Sequence, residues 1–118
     1  DQHHVKNFLR KAIGSRVPEK ELIDWIEPIN VDGLSVKTLM GRFRLDSVEI
    51  LQIDAEGYDW SVLQLFFEAN LEPKVINLEF KNIPGPDQST ALSSLKSKGY
   101  SVYLRGSDLL AFRAVQFR

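Results

Sequence analysis

What most constrains this chain is a strand–helix–strand pattern in its middle. Val48, Ile50, Leu51 and Ile53 form a mostly apolar run, interrupted by Glu49 and Gln52 and closed by Asp54. A short apolar run leading into a helix reads as a strand buried on both faces of a parallel sheet. The helix follows at once. Val62, Leu63, Phe66, Phe67 and Asn70 recur at helical spacing, Asp59 stands where a carboxylate favours the N-terminus, and Pro73 closes the segment. Val75, Ile76, Leu78 and Phe80 then make a second strand. The three pieces form one βαβ unit, whose two strands are expected to be parallel and joined by a right-handed crossover.

The flanks extend this pattern. Val5, Phe8, Leu9, Ala12 and Ile13 share one helical face, with Gly14 as a stop, and Ser15 to Glu21, containing Pro18, reads as a loop. Ile23, Trp25, Ile26, Ile29 and Val31 make a strand-like stretch that Pro28 confines to an edge or a bulge. Ser35 is placed to cap a helix through Val36, Leu39, Met40 and Phe43. On the other side, Lys81 to Asp87 with Pro84, Gly85 and Pro86 reads as a loop, and Ala91, Leu92 and Leu95 line a helix ending at Gly99. Ser101 to Arg105 and Leu109 to Phe117 are strand runs, and Gly106-Ser107 between them suits a type II′ hairpin turn. The fold class is α/β: a parallel βαβ followed by a C-terminal antiparallel hairpin, with residues 1–118 as one domain.

Composition removes several function classes. With 15 Lys and Arg against 16 Asp and Glu, the formal charge of −1 argues against a general nucleic-acid or anionic-membrane binder. No apolar run approaches the ~20 residues that span a bilayer, so a cytoplasmic location is expected. Cys is absent, which excludes a disulfide framework, a thiolate metal site and a Cys nucleophile. The two histidines, His3 and His4, have no third partner, and no metal site is expected of them. No two of the seven glycines are separated by a single residue, so there is neither a G-x-G loop nor a P-loop.

Open α/β sheets bind ligands beyond the C-terminal ends of their strands. There this chain places Asp54, Glu56 and Gly57, in Ile53-Asp-Ala-Glu-Gly-Tyr58, and, one strand over, Glu79, Phe80 and Lys81. Two carboxylates at the end of an apolar strand suit a general base or oxygen ligands for a hard cation. The structural alternative has Asp54 capping backbone amides and Gly57 only making the turn. Glu79 interrupts an apolar strand, where a carboxylate costs free energy unless it finds partners. Lys81 is placed to hold an anionic substrate group.

Val48-Glu-Ile-Leu-Gln-Ile-Asp-Ala-Glu-Gly-Tyr58 resembles the hallmark of FkbM-type S-adenosylmethionine-dependent methyltransferases, in which a strand of the form hydrophobic-Lys/Gln-Ile-Asp-x-Glu-Gly leads into a helix. Val31 to Leu39 resembles the family's short strand and the helix before that hallmark, and Leu71 to Glu79 its proline-preceded strand ending in Glu. Leu95 to Tyr100 and Asp108 to Ala111 resemble its closing helix and final hairpin, and Asp1 to Val5 a segment some members carry.

The resemblance implies part of a class I methyltransferase, a Rossmann-like sheet whose seventh strand is antiparallel. The family's cofactor loop and ribose-binding acid find no counterpart here, so the expectation is a C-terminal portion lacking the cofactor-loop half. S-adenosylmethionine would then serve the complete enzyme and bind this chain poorly. The implied reaction is methyl transfer to a hydroxyl of a small-molecule, sugar or lipid acceptor. Asp54 and Glu56 are the expected catalytic residues, Glu79 and Lys81 the substrate-binding ones, and Gly57 the structural turn. Two other readings stand beside it: a non-enzymatic α/β assembly module, and a hydrolase holding Mg²⁺ through Asp54 and Glu56. An unpaired apolar edge at Val48 to Ile53 recruits partners, so the chain is expected to pair with another copy there or cover the edge with its N-terminal segment.

Overall fold

A computed structural model describes residues 2–13, 18, 20–21, 24 and 26–113. The chain divides into two compact units, residues 1–33 and 34–118. In the first, α1 (Gln2–Ile13) covers the expected N-terminal helix and begins three residues earlier than its apolar spacing suggested. Gly14 and most of the Ser15 to Glu21 loop lie outside the described residues. The strand expected from Ile23 to Val31 does not form over residues 26–31, which have no regular structure, and Ile23 and Trp25 lie outside the described residues. The short strand implied by the resemblance at Val31 is absent for the same reason. A strand needs a ladder partner, Pro28 removes a donor, and Ile29 and Val31 are largely exposed.

In the second unit, α2 (Val36–Phe43) starts where the sequence placed its cap: the Thr38 amide donates to Ser35 Oγ at 3.1 Å. It is followed by β1 (Ile50–Ile53), α3 (Asp59–Glu68), β2 (Val75–Glu79), α4 (Gly85–Ser97), β3 (Ser101–Arg105) and β4 (Asp108–Phe112). The strands form one sheet in the order β1-β2-β4-β3. β1 and β2 are parallel, with Ile53 beside Leu78, as the βαβ pattern requires. β4 runs antiparallel to both β2 and β3 and lies between them. At the β3–β4 turn only Gly106 (φ 62) takes a positive φ, the pattern of a type II′ turn. The last strand is shorter than expected, ending at Phe112; residues 114–118 lie outside the described part.

The core lies on one face of this sheet. Leu51, Ile53, Ile76, Leu78, Leu109 and Ala111 point toward Trp60 and Leu63 of α3 and Ala91 and Leu95 of α4. The larger side chains among these that are completely buried are Leu63, Ile76, Leu78, Leu95 and Leu109. Each contributes about 1.5–3 kcal/mol through removal of apolar surface from water.

The other face corrects the reading of β1 as buried on both sides. β1 alternates exposed and buried residues, and Ile50 is 70% exposed. Among the described residues no element of this unit covers that face, so strand periodicity of two, not an all-apolar run, governs its packing. The segment Lys81 to Asp87 is also shorter as a loop than expected. Gly85, Pro86 and Asp87 already form the first turn of α4, where proline's missing amide and fixed φ fit.

Candidate functional site

Strand register assembles the site on the uncovered face. Because Ile53 pairs with Leu78, Asp54 falls beside Glu79. Glu79 in turn pairs with Asp108, and Asp108 with Arg105. One row across the sheet thus reads Asp54, Glu79, Asp108, Arg105. The next row reads Gln52, Asn77, Leu110, Tyr103. Gln52, Asp54, Asn77, Glu79 and Asp108 line a small polar pocket of about 110 Å³ at the C-terminal ends of β1 and β2. An adjoining groove of about 450 Å³ shares Asn77 and Asp108 and is floored by Tyr103, Leu110 and Phe112, with Arg105 at its rim. Its aromatic rings are stacked at 5.4 Å.

The two loops that carry the candidate residues are fixed to each other. The side chain of Asp59, the first residue of α3, is fully buried. Its Oδ1 accepts from the amides of Ala55 (3.4 Å) and Glu79 (3.1 Å), and its Oδ2 from the amide of Gly57 (3.2 Å). The amide-capping role considered for Asp54 therefore belongs to Asp59, and Asp54 is exposed at the pocket. Between the held amides, Glu56 adopts φ 48 and Gly57 φ 96. A left-handed backbone costs a non-glycine residue about 1–2 kcal/mol.

Gly57 does more than turn the chain. A Cβ on it would lie 3.0 Å from the carbonyl oxygen of Asn82, so the loop after β1 and the loop after β2 touch at this point. Asn82 also orients the carboxylate of Glu79, donating from Nδ2 to Oε2 at 2.8 Å. That bond supplies the partner which a carboxylate in an apolar strand requires. The end of β2 is tied to the hairpin as well, since the amides of Phe80 and Lys81 both donate to the carbonyl of Ser107 (2.7 and 3.0 Å).

Of the five residues singled out in the sequence, Asp54 and Glu79 meet in the pocket. Glu56 and Lys81 are exposed and do not line it, and Gly57 forms the loop contact. Sequence reasoning gave no site role to Gln52, Asn77, Asp108, Asp59 or Asn82. For Gln52 and Asn77 a signal existed: polar residues two positions before Asp54 and Glu79 share their face. Asp108 becomes visible only through the hairpin register. Among the described residues, no group of three or more His, Cys, Asp or Glu side chains is arranged to hold a metal ion.

Chemically, three carboxylates and two amides around a space of this size suit the capture of a hydroxyl or other small donor group. The neighbouring aromatic groove suits the apolar body of a molecule carrying that group. The family model for the methyltransferase FkbM domain matches residues 2–102, which include Asp54, Glu56, Gly57, Glu79 and Lys81. No curated protein and no solved structure matches the chain.

Proposed function

The chain belongs to the FkbM methyltransferase domain family, and on that premise we propose that it carries the acceptor side of a methyl transfer to a hydroxyl, with S-adenosylmethionine as the donor. The observation that carries this reading is the convergence of Asp54 and Glu79 on one polar pocket beside an aromatic groove. Asp54, the exposed carboxylate closing β1, accepts the hydroxyl's hydrogen bond and takes its proton as the oxygen forms its new bond. Glu79, held by Asn82, orients the acceptor from the adjacent strand. Glu56, two residues after Asp54, offers a second carboxylate and Lys81 a cation for an acidic group on the acceptor, both from outside the pocket lining. Family topology supports the reading: an antiparallel last strand is what the resemblance implied, and β4 is such a strand.

The described residues do not themselves fit S-adenosylmethionine. The pocket's ~110 Å³ is below the roughly 300 Å³ at which small-molecule sites begin. The larger groove offers side chains of a sheet face, and no G-x-G turn in the sequence presents backbone amides to a cofactor. This chain's contribution is therefore to bind, orient and deprotonate the acceptor, and isolated residues 1–118 are inactive in this reading.

The test uses the natural polypeptide containing these residues, methyl-labelled S-adenosylmethionine, and a panel of sugar, lipid and small alcohols. Asp54→Asn should lower kcat by about 10²–10⁴-fold, the range for a lost general base, with little change in KM for the donor. Full activity in that variant would remove Asp54 from its role. Absence of calorimetric binding of S-adenosylmethionine to the natural polypeptide would replace the enzymatic reading with that of an assembly module.

A further inference from the structure

We infer that Asp59 is a positioning residue: its buried carboxylate sets the distance and orientation between Asp54 on one strand end and Glu79 on the next. The inference rests on the reading of those two carboxylates as the acceptor-binding pair.

Three observations carry it. First, Asp59 bonds both sides of the site at once. Through Ala55 and Gly57 it holds the loop after β1, and through Glu79 it holds the last residue of β2, twenty positions away. Val75 donates its amide to the carbonyl of Glu49, just before β1, and strand alternation turns the amides of Asn77 and Glu79 to the same side. The Glu79 amide thus faces the β1 side of the sheet, and there the Asp59 carboxylate accepts from it.

Second, the residue between its two loop partners, Glu56, has a left-handed backbone. Such strain persists only where neighbouring contacts over-determine it, and the Asp59 bonds to Ala55 and Gly57 bracket that position. Third, Asp59 is fully buried, so it does not present its carboxylate to a ligand. It acts through the backbone amides, and every group it grips belongs to the two segments that carry the site.

Asp59→Asn keeps the shape but replaces one acceptor oxygen with an NH₂ that faces amide donors, so the three-way grip is broken. Gly99→Ala serves as the comparison. That residue lies just past the end of α4, outside the site, and has open space around it at φ 82. Amide hydrogen exchange and side-chain carboxyl ¹³C shifts are read in both variants of the chain. In Asp59→Asn, exchange at Ala55, Gly57 and Glu79 should rise at least tenfold above any global change, and the Asp54 and Glu79 carboxyl signals should move. The β3–β4 hairpin should keep its wild-type exchange pattern. In Gly99→Ala any acceleration should be spread over the fold, with the carboxyl signals unmoved.

A uniform rise in Asp59→Asn, or unchanged carboxyl signals, would reduce Asp59 to an ordinary structural residue and overturn the inference. In the labelled-donor assay, Asp59→Asn should lower kcat about 10²-fold, the cost of misplacing reacting groups by about 1 Å. Wild-type turnover in that variant, with its exchange locally raised, would overturn positioning while leaving the methyl-transfer reading intact. Failure of the wild type to transfer label would sink that reading alone, because the exchange and carboxyl signals decide the clamp independently.

Discussion

Replacing Gly57 by alanine probes the contact between the two site loops. Two costs add. At φ 96, alanine pays the left-handed penalty of about 1–2 kcal/mol. Its Cβ would also stand 3.0 Å from the Asn82 carbonyl oxygen, closer than van der Waals contact allows. The obstacle is backbone, so the loop itself must shift, a kind of overpacking that costs about 1–3 kcal/mol. Gly99→Ala isolates the first cost, because that glycine has φ 82 and nothing within 4 Å of its Cβ position. Both substitutions gain a similar 0.4–1 kcal/mol, roughly, from a stiffer unfolded chain, which cancels in the comparison. Gly57→Ala should therefore be less stable than Gly99→Ala by about 1–3 kcal/mol. With a urea m-value of about 2 kcal/mol/M, its unfolding midpoint should lie about 0.5–1.5 M lower. Equal midpoints would refute the claim that Gly57 is required by a close approach between loops.

Other expectations follow from the same packing and charges. Leu63→Ala, at a fully buried α3 position between sheet and helix, should cost about 2–5 kcal/mol in urea unfolding, and a loss under 1 kcal/mol would contradict its place in the core. Hydrogen bonds from Lys98 and then Arg113 hold the Glu72 carboxyl below its ordinary range. Its folded pKa is depressed, so its stabilisation is fully present above the unfolded carboxylate pKa and is lost as pH falls below that through the folded pKa. The Tm gap between wild type and Glu72→Gln should shrink accordingly on acidification, and should be small throughout because the pair is partly solvent-screened. A gap that widens in acid would reverse the assignment. The outer edge of β1 carries no strand partner among the described residues, and the adjacent face exposes Ile50 and Tyr103. Sedimentation of the chain should show self-association that Ile50→Lys weakens; a monomer at all concentrations with fast-exchanging β1 amides would refute pairing through that edge.

Local patterns in the sequence carried much of this protein. The run from Val48 to Asp54, the helical spacing through Phe67 and the run from Val75 set the βαβ unit, because strand and helix periods are properties of neighbouring residues. Ser35 as a cap, Gly99 as a stop and Gly106-Ser107 as a hairpin turn were legible for the same reason, and the Asp-x-Glu-Gly turn marked the site and the family. Other features depended on residues far apart in the chain. That β4 inserts beside β2, bringing Asp108 to Asp54 and Glu79, follows from hydrogen-bond register across the sheet. One face of β1 is open because no element of its unit covers it among the described residues, which an apolar run cannot reveal. Asp59 could be read locally only as a favourable charge at a helix start. Its buried grip on an amide twenty residues away exists because two strand ends converge on it, and that convergence is a product of tertiary packing alone.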